Sequence, residues 1–297
     1  MISRNYLGAI LASTSASLGG MTVVLTRYLM PDSDAFSLPG ARYFIGGIVL
    51  FLIFAIIKKL KPLEIVDWKA ILFLSFSFYV AFPIAFAAGL EHTTAARGAI
   101  VFTAQPIITL ILGLILGTER TNLFKVLAMF IAIAGISVTL SDKIGDEAPN
   151  ALMGDFLMFT AAFFNSLYLV KSRNLIIKYG TYTFAVWPML IGSSMMLVLA
   201  LFFGNPLSGS LSFDAHGWMV LLILAIPGVA LMQYIFQQAI IMSSPTGVSM
   251  TVGFNPLWSI ILGAIILHEP ISSKILFGFL CIVVAVILAN YEKKNIL

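Results

Sequence analysis

Residues 104–120, "AQPIITLILGLILGTER", and residues 254–270, "FNPLWSIILGAIILHEP", follow one pattern. Each places an amide residue before proline, Gln105-Pro106 in one and Asn255-Pro256 in the other. Each then carries an Ile-Leu-Gly triplet and closes on a glutamate, Glu119 or Glu269. The spacing between them is 150 residues throughout, without a gap. Such long apolar runs read as helices, so the recurrence points to a chain built from two copies of one helical unit.

The correspondence extends outward from these segments. A second copy begins near residue 151, where "LMGDF" answers "YLGAI" and Gly154 falls opposite Gly8 at an offset of 146. At that offset Arg173 answers Arg27 and Gly192 answers Gly46. After a longer seventh-to-eighth connection the offset becomes 150, and Trp218 answers Trp68, Pro256 answers Pro106, and Gly263 answers Gly113.

Composition sets the environment. Of 297 residues, 60% are hydrophobic and 10% charged, with a mean hydropathy of +1.02. That charge content is too low for a water-exposed surface, and the 24 Phe and 23 Gly suit helices packed in lipid. The net charge of +4 does not point to nucleic acid, because the cations sit in short loops and form no stripe. The lone cysteine, Cys281, lies inside an apolar run and reads as an inert thiol. At the N-terminus the small residues of "LASTSAS" suit a signal peptide. The apolar stretch nevertheless continues through "MTVVL" to about Leu29, which favours a first spanning helix.

Ten apolar segments have the length of a membrane-spanning helix: 5–29, 37–58, 68–90, 94–117, 121–140, 151–177, 181–203, 215–241, 245–267 and 271–291. The expected fold is an all-α membrane protein whose halves, 1–145 and 146–297, each hold five spans. With both termini inside, the inner side carries Arg4, Lys58, Lys59, Lys61, Lys69, Arg120, Lys125, Lys171, Arg173, Lys178, Lys293 and Lys294. The outer side carries Arg27, Arg97, Lys143 and Lys274. This bias predicts cytoplasmic termini. Five is odd, so the second copy is expected upside down relative to the first, as in carriers with two equivalent gates.

Ten spans as five plus five inverted, with a proline near the start of spans four and nine and a glutamate closing both, resemble the drug/metabolite transporter superfamily, specifically its EamA group. "LEHTTAARGAIVFTAQPIITLILGLILGTER" and "SSPTGVSMTVGFNPLWSIILGAIILHEP" carry most of the resemblance. It implies a multi-pass protein of a prokaryotic inner membrane that moves amino acids, other metabolites, nucleotide sugars or drug-like cations, many of them outward. It also implies a central cavity lined by spans 1, 3, 4, 6, 8 and 9.

Polar side chains at bilayer depth are costly and point to function. Asn165 and Tyr168 share a face of span six, and Gln233 and Gln237 share one of span eight. Gln105 and Asn255 stand beside their prolines. Each proline is expected to free a carbonyl, that of Val101 or Phe102 and that of Thr251 or Val252, for a substrate amine. Thr14, Ser17, Tyr79 and Trp258 complete the candidate lining, and Trp187 is an aromatic that either stacks or fills space. The competing reading is that such groups only bridge neighbouring helices. Arg42 and Arg97 are candidates for an outer mouth, Arg42 alternatively snorkelling to headgroups. Glu119 and Glu269 are expected to face positive helix ends.

Carboxylates and histidines lie at span ends or loops, among them Glu91, Asp155, His92, His216 and His268. Facilitated diffusion or exchange is therefore expected over proton coupling. No Gly-Lys dipeptide occurs, which leaves no Walker A loop for ATP. Neither a catalytic constellation nor a metal-ligand set stands out, so no cofactor is expected and an enzyme is disfavoured. A repeated ring of charge, as in ion channels, is also missing. The implied partners are a small solute and the bilayer, with the chain a monomer or weak dimer.

Overall fold

A computed structural model describes residues 4–93, 95–140, 150–207, 209–267 and 273–291. Among the described residues are ten helical rods. They are α1 (Arg4–Leu29), α2 (Ser37–Ile56), α3 (Trp68–Phe76, a π turn Ser77–Ala81, then Phe82–His92) and α4 (Ala95–Phe102, then Gln105–Ile115). There follow α5 (Leu123–Leu140), α6 (Ala151–Tyr179), α7 (Thr181–Phe203) and α8 (Ala215–Ala225, a π turn Ile226–Leu231, then Met232–Met242). The last two are α9 (Pro245–Ser249, a 3-10 turn Met250–Gly253, then Phe254–Leu267) and α10 (Ser273–Ala289). Among the described residues, seven segments are long and apolar enough to cross a membrane, and parts of α5 and α10 are shorter apolar helices. This is an all-α, integral multi-pass membrane protein, as composition indicated.

Local chemistry sets the boundaries. The Asn150 and Asp214 side chains accept the backbone N–H of Met153 and Gly217, capping α6 and α8. Ser244 accepts from Gly247 at the start of α9, where Pro245 needs no donor of its own. Gly180, at φ +84°, makes the one-residue turn from α6 to α7, a conformation that glycine adopts without a Cβ clash.

The two halves repeat each other's defects as well as their helices. The π turn of α3 corresponds to that of α8, and the break in α4 at residues 103–104 corresponds to the 3-10 turn in α9. Close helix contacts are mirrored too. A Cβ on Gly8 would lie 2.8 Å from Ser243 N, and one on Gly154 would lie 2.8 Å from Thr93 N. Likewise Gly46 faces the Ala225 carbonyl and Gly192 faces the Ser75 carbonyl, at 2.8 and 2.7 Å. Glycine is required at these four positions because backbone lies where a side chain would begin.

Equivalent helices also meet directly. Gly40 packs on Leu197 and Gly47 on Leu190, so α2 and α7 run antiparallel. Phe124 meets Tyr291 while Gly135 meets Cys281, so α5 and α10 do the same. One buried cluster joins α2, α3, α6, α7 and α8, including Ile71, Tyr79, Tyr168, Phe184 and Met189. A second joins α1, α4, α5, α9 and α10, including Leu110, Ile136, Leu257 and Ile282.

Candidate functional site

At the middle of the bundle, α3, α4, α6 and α8 bring six of the expected polar residues into the interior. Tyr79, Tyr168, Gln233 and Gln237 are wholly buried, and Gln105 and Asn165 nearly so. Gln105 begins the second part of α4 and donates through Nε2 to Asn165 Oδ1 at 3.2 Å. Two hydroxyls extend this contact: Thr109 and Ser166 lie 3.0 Å apart, each within hydrogen-bond distance of the Gln105 carbonyl. One turn further along α6, Gln237 Nε2 donates to Tyr168 Oη at 2.6 Å. Gln105 and Gln237 therefore bridge helices.

Gln233 is different. Its amide and the Tyr79 hydroxyl both lie beside the Tyr168 hydroxyl, but neither Gln233 Nε2, Gln233 Oε1 nor Tyr79 Oη forms a hydrogen bond of good geometry. Gln105 Oε1 and Gln237 Oε1 remain open as well. Leaving a buried amide unpaired costs about 1–3 kcal/mol per group. The cluster thus holds donors and acceptors suited to a polar guest and pays for them in stability.

Aromatic rings enclose the cluster. The Phe78 ring lies 4.4 Å from that of Tyr168 and 5.0 Å from that of Tyr79, and Tyr43 closes edge-on against Tyr79 at 5.2 Å. Phe236 stacks on Phe78, and Phe82 stacks on Phe102 beside the break in α4. Trp187 contacts Phe51, and its buried Nε1 has no acceptor.

Other expected residues lie elsewhere. Thr14, Ser17 and Trp258 line a lateral groove of ≈ 460 Å³ between α1, α9 and α10. The Thr14 and Ser17 hydroxyls return to their own helix, at Ile10 O and Ser13 O, as such groups do in apolar surroundings. Asn255 rests on α1, with Oδ1 2.3 Å from where a Cβ on Gly19 would stand and without a partner. Arg42 Nη1 donates to Thr26 Oγ1 of α1 at 2.8 Å, and its guanidinium lies over the Tyr43 ring, while Nε is buried unpaired. The Arg97 side chain, Glu269 and His268 lie outside the described residues.

Two expectations need correction. Val101 O accepts the Ala104 N–H at 3.0 Å, and Thr251 O accepts the Phe254 N–H. The Phe254 N–H also reaches Val252 O. The Val101, Thr251 and Val252 carbonyls are thus taken up by tightened turns, because an unpaired carbonyl in an apolar interior is costly. Glu119 does face a positive helix end, but that of α9 rather than its own next helix. Its Oε2 accepts Thr246 N at 3.1 Å and Thr246 Oγ1 at 2.8 Å, and its Oε1 pairs with Lys125.

Sequence reading missed Ser15, which donates to Met232 O at 3.0 Å, and the Thr109–Ser166 pair. The second had a signal: Thr109 is one turn from Gln105, and Ser166 adjoins Asn165. Outside the spans, Asp34 joins two loops by accepting from Phe36 N, Ser37 N, Ser37 Oγ and Asn205 N. Burial raises its pKa, but donors from Ser210, Ser37 and Asn205 outweigh that and hold the carboxyl well below its ordinary value.

Comparison with known proteins agrees with this architecture. The chain is 24% identical over 300 residues to YetK, an uncharacterized transporter of Bacillus subtilis, covering 99% of this chain and 90% of that one. It is 24% identical over 283 residues to a chloroplastic WAT1-related protein of Arabidopsis thaliana, covering 93% and 67%. A solved crystal structure matches over 96% of each chain with a TM-score of 0.81 at 16% identity, a likeness of fold alone. A model of the EamA-like transporter family matches residues 6–141 and again residues 152–291. Matched twice along nearly its whole length, the chain belongs to the EamA-like transporter family.

Proposed function

We propose that this membrane transporter is a secondary carrier for a small polar metabolite, an amino acid or related compound, and that it works outward by alternating access. Residues 1–145 and 146–297 are its two inverted five-helix repeats, set in a prokaryotic inner membrane with both termini cytoplasmic. The antiparallel pairing of α2 with α7 and of α5 with α10 supports the inversion, since equivalent helices on a two-fold axis across the bundle must oppose each other.

The observation that carries the reading is Gln233, buried completely beside Tyr79, Tyr168 and Gln237 with its amide unpartnered. In this reading the solute replaces the missing hydrogen bonds, and Asn165, Gln105 and Asn255 complete the lining as the halves rock. Facilitated diffusion or exchange follows from the placement of carboxylates: among the described residues they lie at helix ends and loops.

Counterflow in proteoliposomes tests this. Labelled amino acids, nucleosides, sugars and organic cations are each offered against unlabelled solute inside. Saturable uptake accelerated by internal solute, and lost in Gln237→Ala and Asn165→Ala, is the expected result. Flux that rises linearly without saturation would overturn the carrier. Accumulation driven by an imposed pH gradient would overturn the uncoupled mechanism and favour a proton-coupled carrier of organic cations. The aromatic wall of Phe78, Tyr79, Tyr168 and Phe236 suits that second cargo through cation–π attraction.

A further inference from the structure

The connection from α2 to α3 does more than join two helices. Residues 57–69 read "IKKLKPLEIVDWK", with four lysines, two acids and several apolar side chains. Two acids do not balance four lysines, and both are ion-paired with Lys178 from the other half of the chain. Lys178, in the last turn of α6, bonds Glu64 Oε2 at 2.6 Å and Asp67 Oδ2 at 2.7 Å, and Tyr179 Oη donates to Asp67. Backbone contacts hold the same segment: Lys61 N donates to Thr183 Oγ1 and Glu64 N to Tyr179 Oη, at 2.9 and 3.1 Å. The loop is thus a fixed platform with its carboxylates turned toward α6.

The exposed face carries the exposed, Lys178-paired Glu64 and is otherwise cationic and apolar. Lys58, Lys59, Lys61 and Lys69 are exposed. Between them the 3-10 turn Ile65–Asp67 presents Ile65 at 85% and Val66 at 83% exposure, the two most exposed β-branched apolar side chains among the described residues, with Trp68 partly exposed next to them. Lys58 occupies the left-handed position that ends α2, at φ +53°. Glycine is the usual choice there, so a lysine is kept at a conformational cost.

We propose that this platform docks on anionic phospholipid headgroups. The four lysines meet the phosphates, while Ile65 and Val66 enter the leaflet beneath them and Trp68 lies at the interface. Charge complementarity selects this occupant. A soluble acidic protein would match the lysines but leave Ile65 and Val66 without an apolar partner at the membrane edge. Since the platform is bonded to Lys178, Tyr179 and Thr183, bound lipid also braces the α2–α3 connection against the α6–α7 turn.

The test uses the full chain with Cys281→Ser and Val66→Cys, labelled at residue 66 with an environment-sensitive fluorophore. It is reconstituted in nanodiscs of phosphatidylcholine, or of phosphatidylcholine with increasing phosphatidylglycerol. Phosphatidylglycerol is expected to shield the label from acrylamide and expose it to quenching by brominated acyl chains. Each Lys→Gln change at 58, 59, 61 or 69 is expected to weaken that response roughly fivefold. Salt on the order of 1 M should suppress it by screening. A label equally open to acrylamide in both discs would overturn the proposal. So would shielding that appears in detergent without lipid and grows with protein concentration, which would assign the surface to a second copy of the chain.

Discussion

Gln105 Nε2 bonds Asn165 Oδ1 at 3.2 Å, whereas the repeat-related pair, Asn255 and Gly19, has no side chain on the α1 side to complete the same bond. The two halves are therefore alike in backbone and unlike in polarity at their matching centre. A double-mutant cycle with Gln105→Ala and Asn165→Ala should report a coupling of about 0.6 kcal/mol, within the range known for interhelical bonds in membranes. Denaturant unfolding in mixed micelles measures it. A coupling of zero would mean that the amides merely touch.

Gln233→Leu offers a sharper contrast. Removing a buried amide that makes no well-formed hydrogen bond should raise stability by about 1–3 kcal/mol. The same change should abolish saturable transport if the amide holds solute. Thermal unfolding and counterflow, run on one preparation, separate the two effects. Lower stability with normal transport would show that Gln233 is a packing residue.

Gly46→Ala and Gly192→Ala should be destabilising to similar extents, about 1–3 kcal/mol each. The added methyl group meets a carbonyl at 2.8 and 2.7 Å, and backbone cannot yield as a side chain can. Matched losses in thermal midpoint would support equivalent crossings in both halves.

Glu119→Ala should cost about 3–5 kcal/mol, because Lys125 is left charged and nearly buried without its partner. Thr246→Val, which removes one donor to the same carboxylate, should cost about 1 kcal/mol. Chemical denaturation of each variant gives the comparison. Equal effects would mean that the ion pair contributes nothing beyond a neutral hydrogen bond.

Asp34→Asn should lower the thermal midpoint near neutral pH and lose its effect in acid. The folded carboxyl titrates below its ordinary 3.8, so its contribution is complete above that value and fades as pH falls beneath it. The gap between the two midpoints should be widest at pH 7, begin to narrow as pH falls below 3.8, and close only in acid strong enough to protonate the folded carboxyl.

Much of the architecture is legible in the sequence. The ten apolar segments and their joints follow from hydropathy, and the 150-residue spacing of Pro106 and Pro256 placed the helix interruptions opposite one another. Asn165 with Tyr168, and Gln233 with Gln237, could be paired along their helices from spacing alone. The partners of those residues could not. Nothing in the order of residues says that Gln105 meets Asn165, that Thr14 and Ser17 face a lateral groove, or that Glu119 reaches across to Thr246.

By itself the sequence determined a lipid-embedded bundle of two related halves, because burying apolar surface and satisfying every backbone donor within helices are local requirements of each segment. Only the tertiary structure decided which polar groups are paired and which are left open. Those outcomes depend on helix rotation and on approaches such as Asn255 over Gly19, where a fraction of an ångström separates a hydrogen bond from a clash.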